Sequence, residues 1–117
     1  MRLVSLFVVI FWFASVADTW SLDAEQWFAE GNRLSSQGKF EEAAEAYQKS
    51  IDQNPLAPVA HYNLGIAYKN LQQLDRATNV LEKAVELAPT NLDIRLTLGN
   101  VYTVSYTHLT LPTNREV

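Results

Sequence analysis

From residue 24 to residue 103, apolar positions recur every third or fourth residue, the spacing of helices that bury one face. The clearest runs are Phe40, Ala43, Ala44, Tyr47, Ile51 and Leu74, Ala77, Leu81, Ala84, Val85. The pattern predicts helices over 24–37, 40–53, 58–71 and 74–87, and a fifth from 92 onward. Pro55 and Pro89 end the second and fourth, because proline lacks an N–H and keeps the residue before it extended. Gly38 suits the turn between the first two helices, whereas Gln72 holds the matching place in the next turn and is a less favoured choice.

The elements repeat. Residues 24–57 align with 58–91 without a gap, and 92–103 begins a third copy, so the period is 34 residues. Gly31, Gly65 and Gly99 coincide, as do Leu34, Tyr68 and Tyr102 three residues later. Ala43 pairs with Ala77, Tyr47 with Leu81, Ser50 with Ala84, and Pro55 with Pro89. A glycine inside each first helix costs about 1 kcal/mol against alanine. Close helix approach is the physical reason to accept it. The expectation is that Ala43 packs at the crossing over Gly31, and Ala77 over Gly65, with large residues such as Tyr68 and Leu81 filling the space around them.

This pattern resembles the tetratricopeptide repeat (TPR), a 34-residue unit with an aromatic residue, Leu-Gly, Tyr, Ala, an aromatic residue, Ala and Pro at fixed offsets. The first copy supplies Trp27, Gly31, Ala43, Tyr47 and Pro55, and departs at Glu30, Leu34 and Ser50. The second supplies Leu64, Gly65, Tyr68, Ala77, Ala84 and Pro89, and departs at His61 and Leu81; Gly99 and Tyr102 continue the series. The resemblance implies an all-α solenoid of antiparallel helix pairs: repeat 1 over 24–57, repeat 2 over 58–91 and part of a third over 92–103. It also implies a concave groove lined by first helices, in which a protein or peptide partner would lie. Phe28, Asn32, Ser35, Tyr62, Asn63, Ile66 and Lys69 are the residues expected there. Some family members grip a C-terminal carboxylate with Lys, two Asn and further basic residues. Asn32 and Asn63 match the two Asn, but Phe28 replaces the Lys, and Asp93 and Thr97 stand where bases are needed.

The two ends differ from this body. Arg2, the apolar run Leu3 to Phe13 and the small residues around Ser15-Val16-Ala17 have the layout of a secretory signal peptide. The apolar run is shorter than the roughly 20 residues a membrane span needs. Export with cleavage after Ala17 is expected, 18–23 being a linker; the alternative is an uncleaved membrane anchor over 3–17, the one route to membrane association. At the other end, the copy requires a turn and an Ala at position 111, but Leu111 and Pro112 stand there. A short strand or a disordered end would be the plain structural account of 104–117. The string VSYTHLTLPT, 104–113, also resembles, at every position, a translation of the transposon end and linker used in building sequencing libraries. On that resemblance 104–117 is a non-native tail, Tyr106, His108 and Arg115 carry no function, and the natural gene continues. Unrelated codons beneath 104–113 would overturn it.

Composition narrows the chemistry. The 117 residues include no cysteine, so disulfides, thiolate catalysis and cysteine-based zinc sites are out. Between Asp18 and Thr103 there are 12 acidic and 7 basic residues, a net of −5, with no basic run, so nucleic acid is not an expected partner. His61 has no second ligand at metal-binding spacing and is expected to be a packing residue. Glu41, Glu42 and Glu45 open a helix where negative charge is favourable, and Glu45 stands four residues before Lys49, the spacing of a helical ion pair. No phosphate loop, nucleophile motif, cofactor site or paired carboxylate is present. The expected function is therefore protein–protein interaction, as a scaffold and not as an enzyme. The alternative is the docking part of a larger envelope enzyme whose catalytic domain lies outside this chain. Because a repeat buries its faces against neighbours, the chain as written is expected to be marginal or prone to aggregate; a sharp cooperative melt from a monomer would contradict that.

Overall fold

A computed structural model describes the backbone of residues 22–115 and the side chains of residues 22–107. It contains five helices and, among the described residues, no strand. They are α1 (Ala24–Ser36), α2 (Phe40–Gln53), α3 (Pro58–Asn70), α4 (Leu74–Leu87) and α5 (Leu92–Arg115), each packed on the next. Helices α1 with α2, and α3 with α4, form antiparallel pairs, and α5 stands where a third pair would begin. The architecture is an all-α solenoid.

Local chemistry sets the helix ends. Asp23 caps α1 in a capping box: its carboxylate accepts from Gln26 N at 2.8 Å, and Asp23 N donates to Gln26 Oε1 at 3.0 Å. Pro58 opens α3, a position whose N–H would be unpaired in any case. The helices α2 and α4 stop two residues before Pro55 and Pro89, with Asn54 (φ −136°, ψ 84°) and Ala88 (φ −138°, ψ 71°) outside the helical region. Both α1 and α3 end in the same six-residue hydrogen-bonded wrap. Gly38 N donates to Ser35 O and Lys39 N to Leu34 O; Gln72 N donates to Lys69 O and Gln73 N to Tyr68 O. The wrap needs a left-handed residue. Gly38 takes φ 75° without steric cost, but Gln72 takes φ 61° with its Cβ against the following carbonyl.

Two apolar clusters share the core. The first gathers Leu34, Ala43, Ala44, Ala46, Tyr47, Ile51, Ala60, Leu64 and Ala67 from α1, α2 and α3. The second joins Ala77 and Leu81 of α4 to Val101 of α5, with Tyr62, Tyr68, Leu74 and Leu98 against it. Ser50 replaces an alanine-like site in the first repeat and remains satisfied, because its hydroxyl donates to Ala24 O at 2.7 Å.

The glycines do admit close approach, but to different residues from those the spacing predicts. A Cβ at Gly31 would lie 2.5 Å from the Tyr47 ring, and one at Gly65 would lie 2.6 Å from Leu81 Cγ. Ala43 and Ala77 are fully buried but are not what fills the glycine notch. The large side chain one helical turn further along is the one that enters, since only it is long enough to cross the gap. At Gly99 a Cβ would meet nothing within 4 Å. Around it Leu92, Leu96 and Tyr102 are exposed.

The end of the chain departs from the expected strand or irregular tail, because α5 is helical without a turn from Leu92 to Arg115. Its threonines are compatible with that state: Thr103 Oγ1 donates to Gly99 O at 2.9 Å and Thr107 Oγ1 to Thr103 O at 2.8 Å, bonding back one turn. The expected signal segment, 1–17, lies outside the described residues. No helix among the described residues is long and apolar enough to cross a membrane.

Candidate functional site

The first helices α1 and α3 lie side by side, and two cavities open along the seam between them. Toward their N-terminal ends, a cavity of about 200 Å³ is walled by Phe28, Ala57, Val59 and Ala60, with Ala24, Glu25, Ser50 and Asn54 at its margin. One helical turn further along α1, a cavity of about 310 Å³ is lined by Asn32, Ser35, Ser36, Tyr47, Asn63 and Ile66. The first is mainly apolar; the second is polar and uncharged.

A hydrogen-bonded triad organises the polar cavity. The Tyr47 hydroxyl donates to Asn32 Oδ1 at 2.8 Å, and Asn63 Nδ2 donates to the same oxygen at 3.0 Å. The Tyr47 side chain comes from α2 and passes through the Gly31 notch, so its ring is in the core, with the residue 2% exposed, while its hydroxyl reaches the seam. Burial raises the phenol above its ordinary pKa, an effect that hydrogen bonding with Ser35 and Asn63 only partly offsets. The hydroxyl therefore stays protonated and acts as a donor. Phe28 packs on the Tyr47 ring, with centroids 5.8 Å apart and planes tilted by 50°, which ties the apolar cavity to the polar one.

Of the residues expected in the groove, Phe28 walls the apolar cavity, and Asn32, Ser35, Asn63 and Ile66 line the polar one. Tyr62 and Lys69 are in neither wall. Tyr62 packs on the second core cluster, and its hydroxyl lies 3.3 Å from Thr97 Oγ1, which occupies one of the positions where a carboxylate grip needs a base. Tyr47 was missed by sequence reasoning, which read it as core. Its signal was an aromatic residue with a polar tip, in a pattern position held by leucine in the other repeat.

Elsewhere the chemistry is structural. His61 is 8% exposed, and its Nε2 sits 2.8 Å from Pro55 O, so the histidine is a satisfied packing residue. Among the described residues, no group of three His, Cys, Asp or Glu side chains could hold a metal ion. The expected ion pair of Glu45 with Lys49 is not formed: Lys49 Nζ lies over the Trp27 ring, 4.2 Å from its centroid. The indole face offers the ammonium a neighbour on α1 that its own helix cannot supply. A larger depression, about 540 Å³, lies on the other side, among Glu41, Glu45, Gln48, Lys49, Tyr68 and Arg76. It has no convergent polar network: Arg76 is held by Gln73 Oε1 at 3.3 Å and by the Tyr68 ring.

Comparison with known proteins agrees with this geometry. Over 68 residues the chain is 28% identical to a TPR repeat-containing protein of Methanocaldococcus jannaschii, covering 58% of this chain. Over 66 residues it is 38% identical to small glutamine-rich tetratricopeptide repeat-containing protein 2 of Mycosarcoma maydis, covering 56% of this chain. The matches span only 12% and 19% of those two relatives. Among solved structures, MamA residues 41 to the end from Desulfovibrio magneticus RS-1 is similar at TM-score 0.67 and 27% identity, over 76% of this chain and 51% of that one. The second TPR of Spaghetti (RPAP3), solved bound to the HSP90 peptide SRMEEVD, shares the fold at TM-score 0.69 and 22% identity, over 80% of this chain and 86% of that one. A TPR repeat model matches residues 31–72 and a tetratricopeptide repeat model matches residues 58–91. With the helix pairs, the 34-residue period and these two matches in agreement over 31–91, the chain belongs to the tetratricopeptide repeat family.

Proposed function

We propose that this chain is a protein–protein interaction module that holds a segment of a partner protein along the α1–α3 seam, and acts by binding and not by catalysis. The observation that carries this is the pairing of an apolar and a polar cavity along one open seam, one turn apart on α1. Such a strip suits an extended segment, which presents an apolar anchor to one and hydrogen-bonding groups to the other. The family supports it too, since the second TPR of Spaghetti (RPAP3) was solved with a bound peptide. The test is to select binders from a random peptide display library on the immobilised chain and map them by amide chemical-shift changes. Shifts gathered at Phe28, Asn32, Asn63 and Ile66 are expected. Shifts gathered instead at Glu45, Tyr68 and Arg76 would move the docking surface to the other side and overturn the proposal.

We further propose that the chain is exported, on the strength of the signal-like layout of 1–17. The expected mature protein begins at Asp18. N-terminal sequencing that returned the intact leader would favour the anchored alternative.

A further inference from the structure

We propose that the chain pairs with a second copy of itself through α5, the two helices running antiparallel and crossing at Gly99. Each copy then supplies the second helix that the other's third repeat lacks. The proposal does not depend on the α1–α3 seam.

An uncovered face carries it. The notch over Gly31 is filled by Tyr47 of α2, and the notch over Gly65 by Leu81 of α4. Each insert comes from a helix antiparallel to the one that bears the glycine. At Gly99, in the separate chain, a Cβ would meet nothing within 4 Å. Along the same face Leu92, Leu96, Tyr102 and Tyr106 are exposed, from 46% to 70% of each residue's surface. Covering apolar side chains of this size is favourable in rough proportion to the area removed from water.

Symmetry names the occupant. The four residues lie at −7, −3, +3 and +7 from Gly99, the spacing of one helical face. In a two-fold contact, if residue i touches residue j of the other copy, j must touch i. An antiparallel pair centred on Gly99 meets that condition with these residues alone. Leu92 meets Tyr106, Leu96 meets Tyr102, and the two glycines face each other where the helices come closest. An aliphatic side chain therefore always packs on an aromatic one. Tyr102 is already held for this contact, because its hydroxyl donates to Glu82 Oε1 of α4. Gly99 and the inner pair lie within 92–103, so the centre of the contact belongs to the repeat and not to the tail after it.

Charge selects the direction. Between 92 and 107 the charged residues are Asp93 and Arg95, which cancel, although the whole chain carries −4. A parallel pair would set Arg95 against Arg95. The antiparallel pair places Arg95 opposite Thr103 and separates the two arginines by about 12 Å along the helices. The four side chains of both copies would bury about 1,000 Å² in all, the lower bound for a specific interface, so a micromolar dissociation constant is expected.

The test follows the full chain by sedimentation equilibrium across the micromolar range, where a monomer–dimer equilibrium is expected. Leu96→Glu alters a residue exposed in the separate chain, so the helical circular dichroism should be kept. It sets a carboxylate against Tyr102 of the other copy and should weaken the dimer at least about 10-fold. Leu56→Glu, equally exposed but in the α2–α3 turn, should leave the dimer within about twofold. Because the chain has no cysteine, disulfide trapping reads the direction. Arg95→Cys mixed with Thr103→Cys should yield a disulfide between unlike chains. A chain that stays monomeric or associates without limit, an assembly that Leu96→Glu leaves intact or that Leu56→Glu dissociates, or trapping only between like chains overturns the inference.

Discussion

The two repeats share a backbone plan but solve one contact differently. At the notch glycine, repeat 1 inserts Tyr47, whose hydroxyl bonds Asn32, whereas repeat 2 inserts Leu81, and Ile66 holds the pattern position that matches Asn32. The pair changes together, from a ring with a hydroxyl facing an amide to two aliphatic side chains. The lesson is that one residue of the second helix decides whether the groove above it is polar. A leucine ends inside the core; a tyrosine fills the same notch and still reaches the surface with a donor. The third copy sharpens the contrast further, since Gly99 has no insert within reach.

The largest effect that would break this comparison is at the repeat 2 insert. Leu81 is fully buried, so Leu81→Ala should destabilise the chain by about 2–5 kcal/mol through lost transfer energy and the cavity left behind. Denaturant melts would measure it, and a loss below 1 kcal/mol would show that the notch collapses freely. Next come the glycines themselves. Gly31→Ala and Gly65→Ala push a Cβ into Tyr47 and Leu81, and should cost about 1–3 kcal/mol. Gly99→Ala meets open space and should instead stabilise by up to about 1 kcal/mol through helix propensity. Equal signs at all three positions would contradict the difference between occupied and open notches.

The turns offer a smaller contrast. Gln72→Gly should stabilise the chain by about 1 kcal/mol by relieving a left-handed residue with a Cβ, and Gly38→Ala should destabilise it by a similar amount. Paired thermal melts would show opposite shifts. The smallest effect concerns pH. Because burial raises the Tyr47 phenol, its contribution is fully present below the ordinary phenol value and is lost as pH rises through the higher folded value. Alkaline destabilisation should therefore be smaller in Tyr47→Phe than in the unaltered chain, a difference readable from melts recorded across that range.

Much of the fold was legible because the repeat announces it. The matched glycines and prolines and the three-to-four spacing locate each helix, and these are local properties of backbone and amphipathic faces. Asn32 and Asn63 could also be placed near one another, because the repeat sets first helices side by side. The partner of Gly31 was not legible. Ala43 and Tyr47 lie on the same face of α2, and periodicity cannot say which of them enters the notch. Lys49 shows the same limit: its own helix offers Glu45, but α1 offers the Trp27 face, and the latter contact forms.

By itself, then, the sequence determined an all-α solenoid with a 34-residue period, uncharged Asn32 and Asn63 on its first helices, and no cysteine chemistry. Only the tertiary structure decided that Tyr47 passes through the Gly31 notch and that Asn32 Oδ1 accepts from both its hydroxyl and Asn63 Nδ2. The reason is physical. Helix position and face follow from short-range backbone rules, whereas a contact between residues 15 apart on different helices depends on how far and at what angle the helices dock.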